Sequence, residues 1–255
     1  MNIGRTANPA LNKNTFSSRS FTYTSTNVMT LEGTVNKTGI LLLLVMAGAA
    51  YTWRLFMNAA NPETAFSGIS KWMLVGGIGG FVSALVTIFK KTAAPYSAPI
   101  YALLEGLFLG GISAFFETQY PGIVKISVAL TFGTLFSLLF AYKTGWIKAT
   151  QNFKLGVFAA TGGIALVYLG TFILGLFGVS VGFIQGNSLL SIGISVFIVV
   201  IAALNLVLDF DFIEQGAKVG APKYMEWYGA FGLIVTLIWL YIEILRLLSK
   251  IASRR

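Results

Sequence analysis

The sequence contains no cysteine and no histidine among its 255 residues. Without cysteine, the chain cannot form disulfides, thiolate metal sites or a cysteine nucleophile. Without histidine, it cannot build a serine–histidine catalytic pair, a histidine zinc site or a histidine proton relay. We therefore expect a protein that is not an enzyme and holds no cofactor. Any proton chemistry must use carboxylates, lysine, tyrosine or water.

Charge is also scarce, because charged residues make up 11% of the chain and hydrophobic residues 56%, with a mean hydropathy of +0.78. Soluble domains carry about 25% charged residues. The composition therefore predicts an integral membrane protein whose main partner is the lipid bilayer. The net charge of +9 does not indicate nucleic acid, since the basic residues are spread over termini and connections, as the positive-inside rule leads us to expect.

Seven long apolar segments follow residue 37, each near the ~20 residues that cross a bilayer as a helix. The predicted fold is all-α, a polytopic seven-transmembrane-helix bundle at 37–255 after a polar, flexible cytoplasmic tail at 1–36. Two GxxxG patterns, Gly76 with Gly80 and Gly106 with Gly110, are typical of close helix contacts in lipid. The predicted spans are 38–57, 70–89, 97–116, 122–142, 155–178, 188–208 and 226–248.

Lysine and arginine alternate between the connections. They occur after the second, fourth and sixth segments, and they are missing after the first, third and fifth. This pattern predicts a cytoplasmic N-terminus. The basic residues at the C-terminus then break the rule, so the last segment either crosses or re-enters. We favour crossing, because 226–248 is long enough.

Carboxylates within the apolar segments are the best candidates for function. An acidic residue at the bilayer centre costs roughly 2.5–3.5 kcal/mol on insertion, so it is a functional-site hypothesis by default. The candidates for an ion pathway or proton sensor are Asp209, Asp211, Glu105, Glu243, Asn205 and Thr236.

The sixth segment ends in a group of acids. Asn205 and Asp209 are four residues apart and share a helix face, whereas Asp211 is about 200° further round. The alternative is that Asp209, Asp211 and Glu214 are interfacial charges in water. Glu105 lies in the middle of the third segment, so it should face the bundle interior or a water-filled cavity.

The last segment carries two more carboxylates. Glu243 can pair with Arg246 on the helix surface or with Arg54 of the first segment. Thr236, seven residues before Glu243, lies on nearly the same face. Glu226 opens the segment, where a carboxylate favours the positive end of the helix dipole.

Four stretches together resemble a known family. They are EGTVNKTGILLLLVMAGAAYTW (32–53), YALLEGLFLGGIS (101–113), NLVLDFDFIEQG (205–216) and YMEWYGAFGLIVTLIWLYIEILRLL (224–248). They resemble the bacterial, YccA-like branch of the Bax inhibitor family, the transmembrane Bax inhibitor motif proteins. The resemblance implies a bundle in the bacterial inner membrane, with a central last helix and a pH-sensitive calcium leak. It also implies a possible membrane partner, since one bacterial member modulates the membrane protease FtsH.

The resemblance implies a pair of proton-sensing aspartates on the sixth and seventh helices. The first matches Asp209 or, with a small shift, Asp211. The second position holds Thr236, so the pair as such is missing. Glu243 and Glu105 are the candidates to replace it.

Three functions are compatible with these observations. The first is a pH-sensitive Ca²⁺ leak that closes on protonation, with Asp209 and Glu105 as candidate metal ligands, because Ca²⁺ prefers oxygen ligands. The second is a regulator of an FtsH-like membrane protease, or of another membrane partner, without ion conduction. The third is a proton-coupled small-solute carrier, although the chain shows no internal repeat of the kind found in many carriers. The oligomeric state does not follow from the sequence.

Overall fold

The structure, a computed structural model, describes residues 27–59, 61–179, 182 and 186–254. Within these ranges seven helices are long and apolar enough to cross a membrane, and there is no strand. This confirms the prediction of an all-α protein with seven transmembrane helices. The helices are α1 (Leu31–Met57), α2 (Pro62–Phe89), α3 (Ala94–Gln119), α4 (Ile123–Lys143), α5 (Gln151–Leu176), α6 (Leu189–Lys218) and α7 (Met225–Ala252).

The first helix begins earlier than its predicted span. Thr30 caps it, because the Thr30 side chain accepts a hydrogen bond from the backbone amide of Gly33. Residues 31–36, which we assigned to the polar tail, are therefore helical. Residues 1–26 of that tail lie outside the described residues.

The sixth helix ends later than its predicted span. It passes through Gly216 and stops before Gly220, which adopts the left-handed φ of 65° that glycine tolerates best. Asp209 and Asp211 consequently lie inside α6, about two and a half and two turns before its end, and not in a connection after it.

The helices form two compact units. The described part of the first unit comprises residues 27–121 and 213–234, with α1, α2 and α3. The described part of the second unit comprises residues 122–212 and 235–254, with α4 and α5. The long helices α6 and α7 contribute to both units.

In the first unit α3 packs against both α1 and α2 through glycines. A side chain at Gly106 or Gly110 would meet the backbone of α1, and one at Gly76 would meet the backbone of α3. Gly80 lies against the carboxylate of Glu105. Both predicted GxxxG pairs thus lie at helix contacts, where small residues let two backbones approach closely.

We predict that Gly48→Ala destabilises the protein. A methyl group at Gly48 would meet the Leu103 carbonyl and the Leu107 amide of α3. At a helix position with free space, glycine to alanine stabilises the helix by about 1 kcal/mol. Gly39, in the same helix, has open space around its Cα, so Gly39→Ala is the matched control. We expect a lower thermal unfolding midpoint in detergent for Gly48→Ala alone, and equal midpoints would contradict this packing.

Candidate functional site

Polar residues line three helices of the second unit at regular spacing. Residues seven apart are about two helical turns apart and share a face. On α5 such a set is Lys154, Thr161 and Tyr168, and on α7 it is Thr236, Glu243 and Lys250. On α6 the buried face is formed by Ser191, Ser195, Ile198, Ala202, Asn205 and Asp209.

We call the polar group near the start of α5 the aspartate cluster; its members are Lys154, Thr161, Asn205, Asp209 and Asp211. The Asp209 side chain is fully buried, with 0% exposure. Asn205, one turn away, donates from Nδ2 to the Thr161 hydroxyl at 2.8 Å. The Lys154 amine forms an ion pair with the Asp211 carboxylate. Helices α5 and α6 are therefore joined by two polar contacts two turns apart.

The acids at this end of α6 differ in their surroundings. The alternative that they are interfacial charges is wrong for Asp209, because its carboxylate is buried. It fits Glu214, which pairs with Lys218 at 2.5 Å while both side chains remain partly exposed. Asp211 is intermediate, since its side chain is 18% exposed and its carboxylate forms the ion pair with Lys154.

A second polar group, the lysine cluster, lies near the end of α7; its members are Tyr168, Ser191, Ser195, Glu243, Arg246 and Lys250. The Tyr168 hydroxyl donates to Glu243 at 2.8 Å, and Arg246 donates to the Tyr168 oxygen at 2.6 Å. Arg246 is also 3.2 Å from the Glu243 carboxylate, which confirms the predicted pair. The other predicted partner, Arg54, is exposed in the last turn of α1.

Sequence reasoning missed Lys250, which we counted with the basic C-terminal residues. Its side chain is buried, and its amine donates to the hydroxyls of Ser191 at 2.9 Å and Ser195 at 2.8 Å. Two signals could have indicated it. Lys250 follows Glu243 by seven residues, and the two serines are four residues apart on α6.

An apolar layer separates the two clusters. Ile164, Ile198 and Ile201 form a buried group, and Trp239 of α7 packs against it. We call these three residues the isoleucine layer. On α6 it falls between Ser195 and Asn205, and on α5 between Thr161 and Tyr168. The buried face of the second unit is therefore polar at both ends and apolar in the middle.

The first unit holds a buried carboxylate at the start of α7, Glu226. One carboxylate oxygen accepts from the Thr30 amide at 2.9 Å, the Thr30 hydroxyl at 2.8 Å and the Lys223 amine at 2.8 Å. The other oxygen is 2.7 Å from the Lys37 amine. A side chain at Gly33 would overlap the carboxylate. Glu226 lies in the first turn of α7, as predicted, and it also holds the first turns of α1, which sequence reasoning missed.

Backbone hydrogen bonds also join the residues just before α1 to the residues just before α7. The Met29 amide donates to the Ala221 carbonyl at 2.7 Å, and the Lys223 amide donates to the Asn27 carbonyl at 3.0 Å. These contacts and the Glu226 carboxylate tie the entry of α1 to the entry of α7. No spacing rule links residues so far apart in the chain.

Glu105 lies midway along α3 and is half-buried. Its carboxylate faces Gly80 and has no hydrogen bond or ion pair within the part of the chain that the structure describes. The described residues also contain no group of three or more acidic residues that could hold a metal ion. Glu105 belongs to the first unit and Asp209 to the second, so the assignment of these two residues as Ca²⁺ ligands stays a prediction.

The sequence matches the model of the family described as Bax inhibitor 1 like over residues 8–253. The chain belongs to the Bax inhibitor 1-like family. Neither the curated proteins nor the solved structures contain a match to it. Family membership and the seven apolar helices together make it an integral membrane protein. Within this Bax inhibitor 1-like chain Thr236 is buried on α7, and Glu243 is the nearest carboxylate on the same face.

We predict that Glu226→Gln destabilises the protein by about 3 kcal/mol, the lower end of the cost of breaking a buried ion pair, because both lysines still reach water. The Lys37 and Lys223 side chains are 20% and 47% exposed. Glu32→Gln is the matched control, since Glu32 is an exposed acid in the first turn of α1. Equilibrium unfolding in mixed detergent measures both, and equal losses would contradict the role of Glu226.

Proposed function

We propose that this Bax inhibitor 1-like protein is a pH-sensitive Ca²⁺ leak whose ion path follows the polar faces of the second unit. The observation that carries the proposal is the fully buried carboxylate of Asp209 on a transmembrane helix. Ionisable groups at such positions are costly and mark ion paths and proton relays.

The oxygen atoms near Asp209 suit a hard cation. Ca²⁺ is bound by carboxylate, amide carbonyl and hydroxyl oxygens. Asn205 uses its amide nitrogen for the contact with Thr161, so its carbonyl oxygen is the atom of this side chain that could bind a cation, on the face that also carries Asp209. Protonation of Asp209 removes the negative charge that attracts the cation. We therefore expect the leak to close as the pH falls.

The isoleucine layer is the gate in this proposal. Hydrophobic constrictions close ion paths by excluding water, and a buried apolar layer of three isoleucines lies between the two polar clusters. The structure thus supports a closed path. With the N-terminus in the cytoplasm of a bacterium, as the basic connections favour, the aspartate cluster faces the cytoplasm and the lysine cluster the outside.

We predict that Ca²⁺ entry into proteoliposomes is faster at about pH 8 than at about pH 6, because the neutral carboxylic acid no longer attracts the ion. Asp209→Asn mimics the protonated acid, so we expect slow entry at every pH. Glu214→Gln, which changes an exposed acid on the same helix, should behave like the wild type. Glu105→Gln shows whether the carboxylate of the first unit contributes to the pH response.

The same measurement separates the leak from its alternatives. If folded wild-type protein gives no entry above that of empty liposomes at any pH, the leak is contradicted. The regulatory function on a membrane protease or another membrane partner is then favoured. If Asp209→Asn keeps the wild-type pH response, the sensor lies elsewhere.

We predict that Ile198→Thr speeds Ca²⁺ entry at every pH, because a hydroxyl in the isoleucine layer makes it easier for water to enter. Val200→Thr is the matched control, since Val200 is a β-branched residue on the exposed surface of the same helix. Entry rates of the two variants are compared in the same vesicles. Equal rates would contradict a gate at the isoleucine layer.

A further inference from the structure

We infer that Ser191 and Ser195 form a binding site for an ammonium-type cation, and that the chain fills this site with its own Lys250. The two serines are one turn apart on α6 and are almost fully buried. Their hydroxyl oxygens both accept from the Lys250 amine, at 2.9 Å and 2.8 Å. Hydroxyl oxygens are neutral acceptors, so they can hold any cation that donates N–H groups.

The position of Lys250 makes its burial unusual. It lies in the last turns of α7, which ends at Ala252. A lysine near the end of a transmembrane helix ordinarily extends its amine toward the membrane surface. Lys250 instead has only 5% of its surface exposed, although α7 ends two residues later. The amine is therefore held inside by the site and is not simply placed at the nearest interface.

The neighbouring charges show what Lys250 does there. Glu243 and Arg246 lie seven and four residues before Lys250, so all three share one face of α7. Among these three residues two are basic and one is acidic, and the Glu243 carboxylate is already bound to Arg246 and Tyr168. A second cation that enters this region meets an excess of positive charge, which lowers its local concentration.

This arrangement gives the lysine cluster a role in the leak, and this part of the inference rests on the proposed function. Lys250 is a tethered cation at the end of the ion path opposite Asp209. It occupies a position that a mobile cation would need, and its charge repels Ca²⁺. The path is then closed twice, by the isoleucine layer and by Lys250.

The binding site is tested first by chemical rescue. In Lys250→Ala the missing part of the side chain corresponds to propylammonium. We expect propylammonium to raise the thermal unfolding midpoint of Lys250→Ala in detergent, or the yield of folded protein if this variant is unstable. It should not do so for Lys148→Ala, which changes an exposed lysine.

Two further controls test the hydroxyls. Tetramethylammonium has the same charge but no N–H donor, so it should not rescue Lys250→Ala. Propylammonium should not rescue the protein that also carries Ser191→Ala and Ser195→Ala. If propylammonium and tetramethylammonium act equally, or if the serines are not needed, the ammonium site is overturned.

The role in the leak is tested by Ca²⁺ entry into proteoliposomes. Lys250→Met keeps an unbranched side chain that is one atom shorter and removes its charge. We expect about tenfold faster entry than in the wild type, the lower end of the effect of a charged path on ion access. Lys148→Met should match the wild type. We also expect added propylammonium to slow entry again in Lys250→Ala and to leave the wild type unchanged.

The two experiments fail separately. If the wild type conducts and folded Lys250→Met conducts at the same rate, Lys250 does not close the path, although the leak itself stands. If no variant conducts, the proposed leak is contradicted, and the rescue experiment still decides whether the serines bind an ammonium group.

Discussion

A charge that is buried among transmembrane helices is least costly when a partner compensates it, and this requirement shapes several of the contacts that join the helices. An isolated ion in hydrocarbon is expensive, and an ion pair there is retained only when its geometry is good and its remaining hydrogen bonds are satisfied. Three carboxylates of α6 and α7, those of Asp211, Glu226 and Glu243, accordingly meet basic or hydroxyl groups. The ion pairs that follow this rule are Glu226 with Lys37 and Lys223, Asp211 with Lys154, and Glu243 with Arg246.

The two units meet this requirement in different ways. In the first unit the helices approach closely through glycines. The hydrophobic effect does not favour helix association in lipid, so close van der Waals packing must stabilise the contacts. Its main buried charge, Glu226, lies at the helix entries. In the second unit polar side chains run along the helix faces, and an apolar layer interrupts them. Only the second arrangement provides polar groups at both ends of one buried face, and it is the one that we associate with ion movement.

Basic residues that indicate topology in the sequence have a second role in the structure. We used Lys154 and Lys223 as markers of the cytoplasmic side, and Lys250 as an exception to the rule. In the structure Lys154 binds Asp211, Lys223 binds Glu226, and Lys250 is buried against two serines. The C-terminal basic residues therefore depart less from the positive-inside rule than the sequence indicates, because Arg246 and Lys250 bind other residues of the second unit.

The sequence by itself determined the class of the protein, its seven helices and the glycine contacts, because long apolar runs and GxxxG spacings are local patterns that lipid permits only as packed helices. It also identified Asp209 and the pairing of Glu243 with Arg246, which are short-range relations along a helix. The helices α1 and α2 begin before the spans predicted from hydropathy, and α6 ends after its span, since caps and a glycine turn set these ends. Only the tertiary structure decided the partners of Glu226, Asp211 and Lys250. Those contacts join helices far apart in the chain, and nothing in the local pattern says which polar faces will meet.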